Sequence, residues 1–375
     1  MYLKQLKLAN FKNYEETDLA FSNKINCFIG DNGAGKTNAL DAIYYLSFCK
    51  SYFNVVDSQN ILHEAPFFAI HGTYLKNGGP NDTVSCIQKR NHKKQFIYND
   101  KEYDRLSDHI GLIPLVMISP YDRDLINEGS ETRRKYIDSV ISQFDKVYLE
   151  DLINYNKALQ QRNNLLKNFA EKHYFDQTSI EIWDAQLTKL GEKIFAKRRE
   201  FIDEFTPLFQ HYFNFISMGN EEVSITYDSQ LADRSLEELL AVSLEKDRMF
   251  RYTTVGIHKD DIEMKIAGHP IKKFGSQGQQ KSYVVAIKLA QFDFTKNKKG
   301  YHPLLLLDDI FDKLDEGRVK QIIHLVGDNS FGQVFITDTQ RERIEKVFRQ
   351  VDIEHKIFEV CQGQAKEISE FNHNN

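Results

Sequence analysis

The chain has 375 residues, of which 41% are hydrophobic and 27% charged, and its formal net charge at pH 7 is −5. This composition excludes an intrinsically disordered chain, and the slight acidity excludes a chain-wide basic field for nucleic acid. At roughly 150 residues per domain, the length allows two or three domains. The longest apolar runs are far shorter than the ~20 residues that cross a bilayer, so we expect a cytoplasmic protein without a membrane partner.

The first part of the chain is predicted to form mainly short strands. Continuous apolar runs predict buried strands at Ile25–Ile29 and Leu112–Ile118. One amphipathic helix is predicted from Lys36 to about Phe48. The segments between that helix and residue 112 that have the pattern of an antiparallel meander are Phe67–Tyr74, Thr83–Gln88 and Gln95–Tyr98.

The middle of the chain has helical periodicity. Apolar residues recur every three or four positions from Ile137 to Leu159 and from Ile180 to Leu208, with a break near residues 176–179. We therefore predict an antiparallel helical hairpin, whose arms of ~40 residues reach at most about 60 Å. Strand and helix patterns return after about residue 252. The sequence thus predicts one α/β domain, residues 1–125 and 251–375, split by an α-helical domain at 126–250.

A phosphate-binding loop follows the first buried strand. Residues 30–37 fit the pattern G-x-x-x-x-G-K-[ST] and open the predicted helix, which is the context that this pattern requires. Glycines let successive backbone N–H groups converge on phosphate oxygens. Lys36 is predicted to reach the β- and γ-phosphates of ATP during catalysis, and Thr37 to hold Mg²⁺. The predicted nucleotide ligands here are Gly30, Asp31, Asn32, Gly33, Ala34, Gly35, Lys36 and Thr37.

Two carboxylates follow a run of four leucines, Leu304–Leu307. A phosphate loop needs an acidic partner for its metal, and the end of a buried strand is where such an acid is expected. We predict that Asp308 binds Mg²⁺ and that Asp309 is the general base for the attacking water. The alternative is that either acid merely caps the following turn.

A helix start at Ser276 carries a second possible anion site. Ser276 and Gln279 have the spacing of a capping box, and capping alone is the simpler interpretation. Gly278 is a poor first-turn residue unless an anion approaches the backbone closely.

In this order, the phosphate loop, the helix start and the strand ending in paired acids resemble the ATP-binding-cassette ATPases. Further segments resemble the RecF DNA-repair family, relatives of the chromosome-maintenance ATPase heads without the long coiled coil. The resemblance spans residues 1 to about 365. Its segments are Leu8–Tyr14, Pro120 with Asp124 and Leu125, Gly129 with Arg133 and Arg134, Thr254 with Gly256–Asp261, and Phe274–Lys281.

The resemblance implies an ATPase head, with a mixed sheet around the phosphate loop, an antiparallel β lobe and the inserted helical hairpin. It implies an ATP-dependent homodimer that binds DNA without sequence specificity and helps to load recombinase at single-strand gaps, together with recombination mediator proteins. It also implies a weak, DNA-stimulated ATPase. The broader class usually has Glu at the position of Asp309 and a switch histidine at that of Asp338, so these departures predict slow hydrolysis that acts as a timer.

Several residue roles come from the resemblance alone. In the family, the signature (residues 276–280 here) of one chain closes over the γ-phosphate held by another. Ser276, Gly278 and Gln279 would therefore bind nucleotide from the partner chain, with Ser276 also catalytic. Lys12 is carried over as a nucleotide contact, and Phe311–Asp315 as the loop that communicates across the dimer.

DNA contacts are harder to predict. A basic tip between two predicted strands is either a DNA contact or a solvated loop, and it comprises Lys89, Arg90, Lys93 and Lys94. Arg133 and Arg134 either contact DNA or pair with Glu128 and Glu131, the pairing being favoured. His258 is expected to be packed or hydrogen-bonded.

Two other functions fit part of the pattern. A transporter-type energising subunit shares the ATPase motifs, although the Leu8–Tyr14 segment and the helical hairpin argue against it. A small-molecule kinase uses the same phosphate loop but has no use for the signature.

Overall fold

The computed structural model describes residues 1–76, 79–219, 221–310, 321, 331–348 and 353–368. Its contacts divide the chain into two compact units, Met1–Asp122 with Lys288–Asn375, and Arg123–Ile287. Within the described ranges, no helix is long and apolar enough to span a membrane.

The first unit contains a six-stranded antiparallel sheet with the order β2-β1-β4-β5-β6-β7. Strands β4, β5 and β6 follow each other along the chain and form the predicted antiparallel meander. The strands of this sheet are β1 (Tyr2–Phe11), β2 (Tyr14–Ala20), β4 (Phe67–Leu75), β5 (Asp82–Lys89), β6 (Gln95–Tyr98) and β7 (Lys101–Glu102).

A second sheet of the first unit has the order β15-β14-β3-β13-β12-β8, in which only the β14–β15 pair is antiparallel. Four of its strands, β3, β8, β12 and β13, are buried along their whole length, which explains their continuous apolar runs. The strands are β3 (Ile25–Ile29), β8 (Leu115–Ile118), β12 (Leu304–Leu307), β13 (Val334–Asp338), β14 (His355–Cys361) and β15 (Gln364–Ile368).

Helix α1 (Lys36–Phe48) packs between these two sheets. Its side chains are buried on almost every face, and they join residues of both sheets in one hydrophobic cluster. Because α1 packs against a sheet on each side, the packing also positions the phosphate loop that precedes it. A last described helix lies at Arg341–Phe348.

The second unit is the helical insertion. Helices α4 and α5 form the predicted hairpin, and the 41 residues of α5 span about 60 Å. A three-stranded sheet, β11-β10-β9, lies in the same unit. The elements are α2 (Asp124–Asn127), α3 (Ser130–Ser142), α4 (Lys146–Lys172), α5 (Gln177–Ser217), β9 (Val223–Asp228), α6 (Leu236–Phe250), β10 (Asp261–Ile266), β11 (His269–Pro270), α7 (Ile271–Phe274) and α8 (Gln277–Lys299, whose last part lies in the first unit).

The structure differs from the sequence-based division in two places. The first predicted helix is two helices, α3 and α4, because the carboxylate of Asp145 caps α4 by accepting a bond from the N–H of Tyr148. The second domain boundary, expected at residue 250, lies at 287 in the contact pattern. The reason is that β10 pairs with β9 along its length and therefore belongs with the helical insertion.

A buried polar network holds the loop Gly256–Asp261 in the second unit. The guanidinium of Arg198 donates to the carboxylates of Asp138 and Asp260 at 3.0 and 3.2 Å, and to the carbonyl oxygen of Ile257 at 2.8 Å. These bonds connect α5 to the loop at both Ile257 and Asp260.

The prediction that His258 is hydrogen-bonded is confirmed. Its Nδ1 accepts a bond from the hydroxyl of Tyr155 at 3.0 Å, and its Nε2 donates to the carbonyl oxygen of Thr253 at 3.1 Å. These partners suit the neutral imidazole. Burial lowers the pKa of His258 to about 4.

This pKa makes the stability of the second unit depend on pH. Below pH 6.5 protons bind the unfolded state preferentially, so His258 should lower the free energy of unfolding by about 2 kcal/mol between pH 7 and pH 5. His258→Gln, which keeps one donor and one acceptor, should remove that contribution. Urea unfolding followed by the fluorescence of Trp183, the single tryptophan, measures it. The exposed His63→Gln is the control, and an unaltered pH dependence in His258→Gln contradicts the prediction.

Candidate nucleotide site

Three neighbouring parallel strands bring the predicted ATPase residues to one edge of the mixed sheet. Strand β13 pairs with β3 on one side and with β12 on the other. The carboxyl ends of parallel strands meet at the same edge, where ligands of α/β proteins bind. The phosphate loop leaves β3 there, and Asp308 leaves β12.

The phosphate loop has a backbone that only glycine permits at two positions. Gly30 and Gly35 have φ values of 153° and 120°. A Cβ at Gly30 would lie 2.2 Å from the carbonyl oxygen of Val360, and one at Gly35 would lie 2.7 Å from Nδ2 of Asn13. The loop therefore curls as the sequence predicted.

Asn13 is a structural partner of this loop that the sequence did not reveal. Its Nδ2 donates to the carbonyl oxygen of Ala34 at 2.9 Å, and its Oδ1 accepts from Nδ2 of Asn38 at 2.8 Å. Asn13 thus braces the loop against the first turn of α1. Its position in the Leu8–Tyr14 segment was the only available signal.

Lys36 is held inside the loop. Its ammonium donates to the carbonyl oxygens of Gly30 and Asp31 at 2.7 and 2.8 Å. Burial lowers the pKa of Lys36, while Asp309 and Asp308 oppose the shift. A buried ammonium group in a glycine-rich loop forms a strong, charge-assisted bond when a phosphate binds there.

Thr37, Asp308 and Thr337 form a connected group of oxygen atoms. The hydroxyls of Thr37 and Thr337 both donate to Oδ1 of Asp308, at 2.8 and 2.9 Å. Burial raises the pKa of Asp308, so its carboxylate gains from a nearby cation. A hydroxyl beside a carboxylate fits Mg²⁺, which uses few protein ligands together with substrate phosphates. Among the described residues, no group of three or more His, Cys, Asp or Glu side chains forms a metal cluster.

Asp309 lies at the mouth of the same pocket. Its backbone N–H donates to the hydroxyl of Thr337 at 2.9 Å, and its φ of 47° is an unusual left-handed value for aspartate. Thr337, which no motif indicated, therefore positions both acids. The pocket has a volume of about 140 Å³, and its lining comprises Asn32, Gly33, Gly35, Lys36, Thr37, Asn38, Asp309 and Thr337.

Asp338 occupies the end of β13 between the phosphate loop and Asp308. It is buried, and burial raises its pKa. Its carboxylate accepts bonds from the N–H of Gln340 at 2.7 Å and from Arg343 at 3.3 Å. The Asp338 carboxylate thus accepts hydrogen bonds from the segment that follows β13 and from the helix Arg341–Phe348.

Lys12 makes an ion pair with Asp41, a residue of α1. Its ammonium lies 2.6 Å from the carboxylate of Asp41 and 5.1 Å from the ring centre of Phe53. Asp41, which is fully buried, also accepts from the hydroxyl of Ser51 at 2.6 Å. The nucleotide contact of Lys12 stays a prediction, and it would require this pair to open.

The signature lies at the start of α8 in the second unit. Ser276 and Gln279 form the predicted capping box, with bonds of 2.7 and 3.2 Å. The side chain of Gln279 also donates to Glu221 at 2.6 Å. Ser276 is exposed and Gly278 is partly exposed, so both can be reached from solvent, whereas Gln280 is buried. Phe311–Asp315 lies outside the described residues.

The basic tip is the turn between β5 and β6, and one of its residues points inward. The ammonium of Lys94 lies 2.7 Å from the carboxylate of Asp57, and it donates to the carbonyl oxygen of Cys49 at 2.6 Å. Lys94 is thereby engaged within its own unit. Lys89, Arg90 and Lys93 are exposed, and their contact with DNA stays a prediction.

The two arginines at the start of α3 have other partners than expected. Arg133 donates to both carboxylate oxygens of Asp261, at 2.7 and 2.9 Å, and Arg134 donates to the carbonyl oxygen of Asp260. The predicted pairing is confirmed only in part. Arg133 also donates to the carbonyl oxygen of Glu128 at 3.0 Å, and Lys135 together with Arg134 lowers the pKa of Glu131. The carboxylate that pairs with Arg133 is that of Asp261, because α3 packs against β10.

Comparisons with known proteins agree with this geometry. Over residues 2–362 the sequence matches the family described as the RecF/RecN/SMC N-terminal domain. It is 51% identical over 368 residues to the DNA replication and repair protein RecF of Bacteroides thetaiotaomicron, covering 98% of this chain and 99% of that protein. Against RecF of Flavobacterium johnsoniae the identity is 52% over 358 residues, covering 96% and 99%. The chain belongs to the RecF family.

Solved structures support the same fold for this RecF family member. The recombination mediator protein RecF with ATP, of the RecFOR pathway, matches with a TM-score of 0.89 at 28% identity, covering 98% of each chain. An Smc head bound to the C-terminal winged-helix domain of ScpA matches with a TM-score of 0.58 at 16% identity, covering 98% of this chain and 97% of that one. This second likeness concerns the fold alone. The resemblance to RecF and the ATPase-head fold are thus confirmed.

Replacing the loop lysine tests the site directly. Lys36→Ala removes a charge-assisted contact with phosphate, worth about 1.5–3 kcal/mol, so affinity for ATP should fall roughly 10- to 100-fold. Titration with a fluorescent ATP analogue measures the change, with the exposed Lys4→Ala as control. Equal affinities in Lys36→Ala and the native chain would refute the assignment of the loop.

Proposed function

We propose that this protein is an ATP-dependent DNA-binding protein of recombinational repair and replication. Two copies close around ATP on DNA and, with recombination mediator proteins, assist the loading of recombinase at single-strand gaps. The observation that carries the proposal is that the chain contains both a phosphate-binding site and an exposed, capped signature. The names of the relatives, DNA replication and repair proteins and a recombination mediator bound to ATP, support the same reading.

A second chain is needed to complete the site. The pocket of about 140 Å³ is smaller than the 300–1,000 Å³ that encloses a drug-sized ligand. One chain therefore cradles the phosphates and leaves the rest of the nucleotide uncovered. The start of α8 is a helix N-terminus, whose partial positive charge favours a negatively charged partner. We infer that the signature of each copy, through Ser276, Gly278 and Gln279, covers the γ-phosphate held by the other.

The chemistry follows from the residues at the sheet edge. Lys36 and the loop N–H groups stabilise the phosphate charge, and Asp309 accepts the proton of the attacking water. Thr37 and Asp308 would hold Mg²⁺, which supplies charge neutralisation when it is bound. Asp309 is a shorter base than the usual glutamate, and Asp338 stands where the wider class has a histidine. We therefore propose slow hydrolysis, stimulated by DNA, that times the release of the dimer.

Replacing the signature serine separates helix capping from dimerisation. Ser276→Arg loses a cap worth about 1 kcal/mol and puts a bulky cation where the partner nucleotide would bind. ATP should still bind each chain, but ATP-dependent dimerisation and turnover should disappear. The chain provides a matched control, because Ser235 caps α6 with Glu238 through an equivalent capping box.

Sedimentation with and without ATP, and then with gapped DNA, measures both variants. Ser235→Arg should lose the same stability yet dimerise normally. A native protein that stays monomeric while hydrolysing ATP at its full rate would overturn the shared site. A protein that dimerises with ATP but never binds gapped DNA would instead overturn the repair function.

Replacing the general base should trap the dimer. Asp309→Asn keeps the size of the side chain but cannot accept the proton, so release of phosphate should slow about 10²- to 10⁴-fold. ATP-dependent dimers should persist for longer than in the native protein, as measured by sedimentation over time. The exposed Asp18→Asn is the control. Normal turnover in Asp309→Asn would mean that another residue is the base.

A further inference from the structure

The helical hairpin has an exposed polar face that the ATPase cycle does not use. Residues 152–170 of α4 contain no aspartate or glutamate. The outward-facing residues of that stretch are rich in amides and include Lys157. In an acidic protein, nineteen consecutive residues free of negative charge leave this face open to an anionic partner.

A groove of about 710 Å³ runs between this face and α5. Trp183, the single tryptophan of the chain, lines it and is partly exposed. Three lysines line it as well, and Asp151, the one acid in the lining, lies 3.9 Å from Lys193. The polar side chains of the lining include Lys157, Gln161, Gln186, Lys189 and Lys193.

The opposite side of α5 has the reverse charge. A groove of about 660 Å³ between α5 and α6 is lined by four acids against one lysine. The acids are Glu181, Asp184, Glu192 and Glu237, and the lysine is Lys189, which borders both grooves. Acids therefore outnumber lysines in the groove between α5 and α6, whereas lysines outnumber acids in the groove that Trp183 lines.

We propose that the groove between α4 and α5, called here the Trp183 groove, binds single-stranded DNA. A base stacks on the indole of Trp183, the ammonium groups of Lys157, Lys189 and Lys193 contact the phosphates, and the amides bond to the base edge or sugar. An aromatic platform within a basic groove is the usual arrangement for binding single strands without sequence preference. The proposal rests on the proposed function, since it gives the DNA strand a surface.

The groove favours a single strand over a duplex. Stacking on an indole requires an unpaired base, because the faces of paired bases are covered by their neighbours. The volume is in the range of a site for a small ligand, so it accommodates about one or two nucleotides. A strand in this groove would lie on the helical insertion, between α4 and α5.

The fluorescence of Trp183 tests the proposal without a label. The full-length protein with ATP is titrated with oligo(dT), with a duplex of equal length and with a gapped duplex, at several salt concentrations. Oligo(dT) and gapped DNA should quench the emission, and duplex should not. Trp183→Leu should weaken binding of oligo(dT) at least tenfold by fluorescence anisotropy of a labelled strand, and Trp183→Phe should restore most of it.

Charge reversal supplies the second readout. Lys193→Glu should lower the slope of log affinity against log salt by about 0.7 for the lost phosphate contact. Lys246→Glu, on the exposed surface of α6, changes the net charge equally and should leave the slope unaltered. Equal slopes in both variants would overturn the groove as a phosphate site.

The outcomes separate this proposal from the proposed function. If gapped DNA binds normally to Trp183→Leu and never quenches the native emission, the groove is overturned while DNA binding stands. If no DNA binds under any condition, both fail. If the emission changes with a purified mediator protein but not with oligo(dT), the groove is a protein-docking surface, and the single-strand proposal is overturned.

Discussion

The positions of the residues at the nucleotide site depend on the in-register pairing of three parallel strands, β3, β13 and β12. Strand β13 lies between β3 and β12, so Asp338 pairs with Ile29 at the level where the phosphate loop begins. Leu307, the last residue of β12, pairs with Ile336. The phosphate loop, Asp308 and Asp338 are remote in the sequence. They lie close together because the three buried strands end at the same level. A shift of register would move the acids away from the loop and turn their side chains to the other face.

Burial at that edge gives the site its electrostatic character. Desolvation raises the pKa of Asp308 and of Asp338 and lowers the pKa of Lys36. Each group is thus less stable in its charged form than it would be in water, and each gains from a ligand of opposite charge. A nucleotide with a divalent cation provides both charges at once.

Local patterns predicted the parts of the fold that depend on neighbouring residues. The strands Ile25–Ile29 and Leu304–Leu307 and the helix Lys36–Phe48 have the predicted bounds, because continuous apolar runs and the glycine loop define their ends. The inward position of Lys94 was not predictable, since its partner Asp57 comes from a distant turn. Strand β9 was also missed, because it is stabilised by pairing with β10, which is remote in the sequence. Helix α6 was missed although the capping box of Ser235 and Glu238 marks its start.

The same limit applies within the candidate site. The glycine loop, Thr37 and the paired acids follow from motifs, whereas Asn13 and Thr337 act through side-chain bonds that no motif describes. Identical local chemistry does not by itself reveal what a helix start can bind, as a comparison of the two capping boxes illustrates. Ser235 and Ser276 each cap the N-terminus of a helix together with the residue three positions later. Considered alone, both would be assigned to capping. They differ in what lies next to them. A glycine two residues after Ser276 opens the backbone of the first helical turn to an approaching anion, whereas glutamates occupy that turn after Ser235 and repel one.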